Sequence, residues 1–327
     1  MRAASIERYG PPEHVVVSDT PTPELRRGEV LVRVEAAAVT AADARLRAGR
    51  FPKGFALLAR LGVGIRGPRA RVLGSTLSGR VERVAPDVTR FLPGDEVAGM
   101  TGLRMGAHAE YVAVSASALV RKPVEVKNVD AAGVLFGGTT ALWFLRDRAG
   151  VKAGMRVLVN GASGAVGTSA VQLAKHLGAT VTAVTSSRNR DLVVRLGADR
   201  VVDYAETPVA TLDDRFDVVF DAVGNVSRAE GLRLLVPTGS LILAVADLLD
   251  TVRARGRVLA GPAPQRGEDF AFLLDLVASG HLDPVTEVVG GLESVREAHR
   301  RIDTGRKVGN LVILPHKGDD AARTLNS

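Results

Sequence analysis

Apolar and polar positions follow two different rhythms along the chain. In residues 29–39, Val30, Val32 and Val34 share one face, while Leu31, Arg33 and Glu35 share the other. That period of two predicts a half-buried strand. Residues 79–84 and 109–114 continue the pattern, and Pro93, Gly94 and Asp95 place a turn inside 91–97 before a further strand. Short strands separated by turns predict a small β-barrel. After Lys122 and Pro123 the rhythm changes: apolar strands at 156–160, 180–184, 201–203, 216–220 and 240–245 alternate with helical spacing. Val166, Ala170, Leu173, Ala174 and Leu177 mark one such helix, and Leu192, Val193 and Leu196, closed by Gly197, another. Strands alternating with helices form a parallel sheet with a crevice at the carboxyl ends of its strands.

Toward the end, Phe270, Leu273, Leu274 and Val277 predict a helix over 269–279 stopped by Gly280. Val295, Ala298 and Ile302 predict another over 294–304, ending at Gly305, and 307–314 reads as a final strand. The β-rich first part needs a cover and edge partners, so the C-terminal segment is expected to return to it. The fold class is then α/β: a β-barrel substrate domain (1–122, completed by 281–327) into which a doubly wound parallel-sheet domain (123–280) is inserted. The tail after Pro315 is expected to be loose. Residues 49–71, rich in Gly and Arg, carry Arg50, Arg60, Arg66, Arg69 and Arg71, with Phe55, Leu57, Leu58 and Leu61 in a short amphipathic turn. Such an insertion reads as a substrate loop, an anion-binding loop or a surface excursion.

Composition narrows the chemistry. At 327 residues and 46% hydrophobic content the chain can bury two cores. It has no run of about 18 apolar residues, so no membrane partner is expected. Met1 to Glu7 lacks a long apolar segment, so no secretory signal and a cytoplasmic location are expected. Cysteine is absent, which removes disulfides, thiolate metal sites and a thiol nucleophile. The 43 basic and 36 acidic residues give a net charge of +7, but the basic residues are dispersed and aromatics make up only 4%. A solvated basic surface, with no nucleic-acid partner, is the expectation.

The stretch richest in chemistry is the turn between the first parallel strand and its helix, with Gly161, Gly164 and Gly167. A pyrophosphate can approach main chain only where no Cβ intervenes, and the helix's free amides and dipole then face its charge. Gly161, Ser163, Gly164, Ala165, Val166 and Gly167 are therefore candidate dinucleotide ligands. About 20 residues on, an NAD site places an acid for the ribose hydroxyls. Here Ser186, Ser187 and Arg188 stand there instead, so two hydroxyls and a guanidinium are available for a 2′-phosphate. NADPH is the expected cofactor.

Tyr9 to Glu13, Pro93 to Val97, Ala107 to Val112, Gly138 to Ala141, Asn160 to Gly167 and Leu196 to Asp199 follow one another in an order and spacing that resembles the medium-chain dehydrogenase/reductase superfamily, in its zinc-free quinone oxidoreductase branch. The resemblance implies a GroES-like barrel, a Rossmann domain, a cleft between them and a homodimer. It further implies that Thr140 lies beside the nicotinamide ribose, Tyr204 near the adenosine phosphate, and Ala222 and Val223 at the cofactor edge of a strand. Zinc alcohol dehydrogenases of the superfamily carry Gly-His-Glu where this chain has Gly74, Ser75 and Thr76, and His108 with Glu110 does not make a three-ligand site, so no metal is expected. Relatives commonly have Asn-x-x-Asp where this chain reads Thr40 to Asp43, and Gly-Lys where it has Gly309 and Asn310. Thr40 and Asp43 are the candidate catalytic residues, with a helix cap as the other role for Asp43.

Without a Lewis acid, the expected reaction is hydride delivery to an acceptor that is already electrophilic, a quinone or an α,β-unsaturated carbonyl. Two alternatives stand beside it: an enoyl-thioester reductase of lipid or polyketide metabolism, and a non-catalytic NADPH-binding protein.

Overall fold

The computed structural model describes residues 1–51, 54, 56–246 and 248–316. Strands β1 (Arg2–Ser5) and β2 (Val16–Asp19) pair as an antiparallel ribbon. Next come β3 (Glu29–Val39), β4 (Thr76–Val84), β5 (Glu96–Met100), β6 (Tyr111–Ser115) and β7 (Leu119–Arg121). The middle of the chain supplies β8 (Arg156–Asn160), β9 (Thr180–Thr185), β10 (Arg200–Asp203), β11 (Phe216–Asp221), β12 (Leu235–Leu243) and β13 (Val258–Ala260). The last strands are β14 (Thr286–Gly290) and β15 (Asn310–Ile313).

These last two join the first part: β14, β15, β3, β4, β5 and β7 are neighbours in one sheet, and β6 pairs with β3. This is the GroES-like part. The second sheet runs β10, β9, β8, β11, β12, β13, all parallel. Counted from β8, that is the Rossmann order 3-2-1-4-5-6, whose crevice opens where the order reverses, between β8 and β11. No helix of the described residues is long and apolar enough to cross a membrane.

β3 is buried along nearly its whole length, with only Arg33 exposed, rather than half-buried as its alternation predicts. Its neighbours explain the difference. Val30, Val32 and Val34 pack into the barrel core, while Ala36 and Ala38 meet Ala132, Val288 and Val312 in a separate cluster. β12 starts at Leu235, earlier than expected, because a register shift lets it absorb Pro237, Thr238 and Gly239. The three-residue β13 has no legible signal of its own in the sequence.

Three helices shape the site: α1 (Ala41–Ala48), α3 (Asn128–Leu142) and α4 (Ala165–His176), with α2 (Ala56–Val63) in the Arg-rich segment. α3 is apolar around most of its circumference, as suits a helix packed between both sheets. Its Gly137 touches α4 so closely that a Cβ would lie 2.2 Å from the Ala165 carbonyl oxygen. Of the amphipathic turn expected at 55–61, Phe55 and the side chains of Leu57 and Leu58 lie outside the described residues, as does the tail 317–327.

Candidate functional site

A cleft of about 850 Å³ runs along the carboxyl ends of β8, β9 and β11 and is closed on its far side by α1 and by residues 302–307. Its floor is the glycine turn. Gly161 has φ +79°, a conformation that favours glycine. At Gly167 a Cβ would sit 2.1 Å from the Gly161 carbonyl oxygen and 2.8 Å from Ala162 Cα, so α4 can seat on the turn only with glycine there. Gly164 is different: its φ is −79° and a Cβ would meet only the Gly161 oxygen, at 3.5 Å. Among the described residues nothing else crowds position 164, so the space above its Cα is open to a ligand. Gly164 is also the N-cap of α4 and makes no side-chain cap bond, so the first amides of the helix are available to an anion. The residues thus fit a dinucleotide pyrophosphate.

Side chains at the strand ends fix this floor. Ser163 Oγ accepts hydrogen bonds from Thr185 Oγ1 and Asn189 Nδ2, both 2.9 Å. Asn160 Nδ2 donates to Asp221 Oδ1 (2.8 Å) and Asn225 Oδ1 (2.7 Å). The fully buried Asp221 accepts from the amides of Val223, Gly224 and Val226 at 2.9, 3.1 and 3.2 Å. From the opposite side, the Gly309 amide donates to the Ser163 carbonyl at 2.9 Å, and Gly309 bridges Gly164.

The cleft brings together Gly161, Ser163, Gly164, Ala165, Val166, Gly167, Ser186, Arg188, Tyr204, Ala222 and Val223. Thr140 and Ser187 are not among its lining residues. Thr140 Oγ1 donates to the Phe136 carbonyl within its own helix (2.9 Å), and it is Phe136, one turn earlier, that faces the cleft. Ser187 is exposed, and its amide donates to Asp203 Oδ2 at 2.7 Å. The bond from the Ala205 amide (2.8 Å), and then this one, hold the Asp203 carboxyl below its usual range. Arg188 stays exposed at the mouth, its Nε donating to Ser186 Oγ at 3.3 Å.

Thr40 and Asp43, the expected catalytic pair, cap a helix in the folded chain. They form a capping box on α1: the Thr40 amide and hydroxyl donate to Asp43 Oδ2 at 2.7 and 2.6 Å, and the Asp43 amide donates to Thr40 Oγ1 at 3.2 Å. Asp43 Oδ1 accepts from the Gly74 amide at 3.2 Å, and the carboxylate is fully buried. Neither residue lines the cleft; α1 presents Ala41, Ala44 and Arg45 to it.

The lining is rich in cations: Arg45, Arg50, Arg188, Arg306 and Lys307, against Asp303 and Glu230. Lys307 was expected within the last strand but precedes it. Desolvation of its half-buried amine, with the charge of Arg301 added, pushes its pKa down to about 8. Phe51, Asn189, Asn225 and Arg306 also line the cleft. They lie in connections, where no hydrophobic period marks a position, so sequence patterning had no means to select them.

Of the metal candidates, His108 is buried with Nε2 bonded to the Ala38 carbonyl (3.1 Å), and Glu110 accepts from the Arg2 amide (2.8 Å). Among the described residues no group of three or more His, Cys, Asp or Glu is placed to hold a metal ion.

Residues 26–124 match the family model described as alcohol dehydrogenase GroES-like domain, and residues 196–313 that described as zinc-binding dehydrogenase. A chloroplastic quinone oxidoreductase of Triphysaria versicolor is 30% identical, the match covering 96% of this chain and 98% of that protein. A chloroplastic NADPH-dependent alkenal/one oxidoreductase of Arabidopsis thaliana is 31% identical over 91% of this chain and 75% of its own. Among solved structures, the quinone oxidoreductase from Coxiella burnetii superposes with a TM-score of 0.86 at 28% identity, covering 96% of this chain and 99% of that one.

Proposed function

The chain belongs to the medium-chain dehydrogenase/reductase superfamily, alongside its quinone oxidoreductases, and from that premise we propose that it is an NADPH-dependent reductase of quinones or α,β-unsaturated carbonyls that works without a metal. The observation that carries this reading is the cleft itself: an uncapped helix N-terminus behind Gly164, with Ser186 and Arg188 where an NAD site would place an acid. The two hydroxyl-bearing residues at the zinc-ligand positions, Ser75 and Thr76, are buried away from the cleft and are poor donors for zinc.

A bound reduced nicotinamide would supply the electron pair that the acceptor takes up. The protein contributes position and exclusion of water. The amides of Ala165 and Val166 would hold the pyrophosphate, and Arg188 with Ser186 would meet the 2′-phosphate. Phe136 and Phe51 line the cleft with apolar surface against which a bound nicotinamide and its acceptor would pack, displacing water. A conjugated acceptor spreads the incoming charge onto its own oxygen, so no Lewis acid is required.

Steady-state oxidation of NADPH and NADH with quinones, short enones and enoyl thioesters tests the proposal. Turnover of a quinone or enone, with kcat/KM at least about tenfold higher for NADPH, is expected. NADPH binding with no acceptor reduced would favour a non-catalytic role, and activity lost to chelators and restored by zinc would contradict it.

A further inference from the structure

Three arginines at the end of α1 are used in three ways. Arg47 is 1% exposed and donates to the Gly10 carbonyl and to Asp303 Oδ2, both at 2.6 Å. Arg50, more open, pairs with the other oxygen of Asp303. Arg45 lines the cleft beside Ala41, Ala44 and Phe51, and among the described residues its guanidinium has neither a hydrogen-bond nor an ion-pair partner. Arg45 remains exposed, although desolvation by the surrounding cleft, and then the nearby charge of Arg50, lower its pKa from the usual value; the guanidinium stays charged.

Among the described residues, no carboxylate in the lining is free to neutralise it. Asp303 is shared by Arg47 and Arg50, and Glu230 accepts from the Ser227 amide (2.8 Å) in a helix cap. The phosphates of a dinucleotide are accounted for on the opposite wall, by the amides of α4 and by Arg188. Arg45 is solvent-exposed while it lines the cleft, so water solvates its charge when the cleft is empty. An acceptor entering the cleft would displace that water, and an anionic group on it would replace the lost hydration with a charge-assisted bond.

Resting on the reductase reading above, we propose that Arg45 receives the acceptor, and that the natural acceptor carries an anionic oxygen group, a carboxylate or a phosphate, on an apolar frame that packs along Phe51. Arg45 then sets substrate class, while the site that holds the cofactor is untouched by it.

Two matched pairs of acceptors test this: an enone bearing a carboxylate against its methyl ester, and an enoyl-coenzyme A against the same acyl group on N-acetylcysteamine. Preference within the first pair identifies a free acid, and preference within the second identifies carrier phosphates; either supports the proposal. In Arg45→Gln, KM for the charged member should rise about 10- to 100-fold with kcat little changed, the neutral member and NADPH affinity should be unaffected, and Arg45→Lys should restore part of the loss. Equal kcat/KM within both pairs overturns the proposal, as does an Arg45→Gln protein that loses NADPH affinity while its acceptor KM stays fixed. Should no acceptor be reduced, the reductase reading fails by itself. Calorimetric titration with the saturated acid and its ester then decides: tighter binding of the acid, lost in Arg45→Gln, sustains the role of Arg45, and equal binding ends it.

Discussion

On the Rossmann wall of the cleft the facing groups include main chain, the glycine turn and the first amides of α4, beside residues such as Ser186, Arg188 and Tyr204. On the barrel wall they are side chains, Arg45, Arg50 and Phe51, borne by α1 and the residues after it. What lies behind each wall differs in the same sense. Behind the glycine turn, Val157, Val159, Ala170, Leu173 and Phe220 form an apolar core. Behind α1 sit Arg47, His108 and His299, with Arg47 Nε, His108 Nδ1 and both ring nitrogens of His299 buried without hydrogen-bond partners. Main-chain recognition binds a ligand common to many enzymes and tolerates little change. Side-chain recognition can be altered one residue at a time, and its polar underlay carries a cost in stability.

The largest expected effect breaks the main-chain wall. In Gly167→Val the new side chain would collide with backbone at Gly161 and Ala162, atoms that no rotamer change can move. NADPH binding, followed by fluorescence titration, should be abolished, and stability in urea should fall by about 1 to 3 kcal/mol, the usual cost of overpacking. Retention of binding would show that α4 need not seat on the turn.

Next is the one cation on that wall assigned to the cofactor. Arg188→Ala should weaken NADPH about 10- to 100-fold and NADH hardly at all, because only the former carries the 2′-phosphate that a charge-assisted bond would hold. Equal losses would return Arg188 to the solvent.

A third effect, on stability alone and with no change in cofactor binding, sharpens the contrast between the two underlays. Burial first, then the charges of His108 and Arg47, push the pKa of His299 down to about 2, so it is neutral when folded but titrates near 6.5 in the unfolded chain. Its contribution is therefore fully present above about pH 6.5 and is lost as pH falls toward 2, at about 1.4 kcal/mol per pH unit. In His299→Leu the acid limb of the stability curve, from urea midpoints between pH 7 and 4.5, should be shallower. An unchanged slope would mean that His299 accepts a proton in the folded protein.

The main-chain wall is also the part that was legible in the sequence. Gly161, Gly164 and Gly167 at fixed offsets between a strand and a helix leave few other readings, and the alternating strands gave the parallel sheet and its crevice. The GroES-like part was visible as alternation, although burial of β3 on both faces was not, since it depends on α3 arriving from elsewhere in the chain. Thr40 and Asp43 occupy a spacing that suits chemistry and capping equally. The bonds from Thr40 and Gly74 to the Asp43 carboxylate show the capping role, which the folded chain alone reveals. Arg45 could not be separated from Arg47 and Arg50 by pattern, because what distinguishes it is the lack of a partner, which is a property of the folded molecule.

The tie from Gly309 to Ser163 has a consequence for biosynthesis. The glycine turn leaves the ribosome long before Gly309 does, yet it is that later residue that hydrogen-bonds it from the barrel side. Gly309 itself has φ +52°, and a Cβ there would lie 2.1 Å from the Val285 carbonyl oxygen, so few other residues could close the clamp. A nascent chain can fold its parallel sheet early, but its cofactor seat is completed only after β15 has been translated and docked.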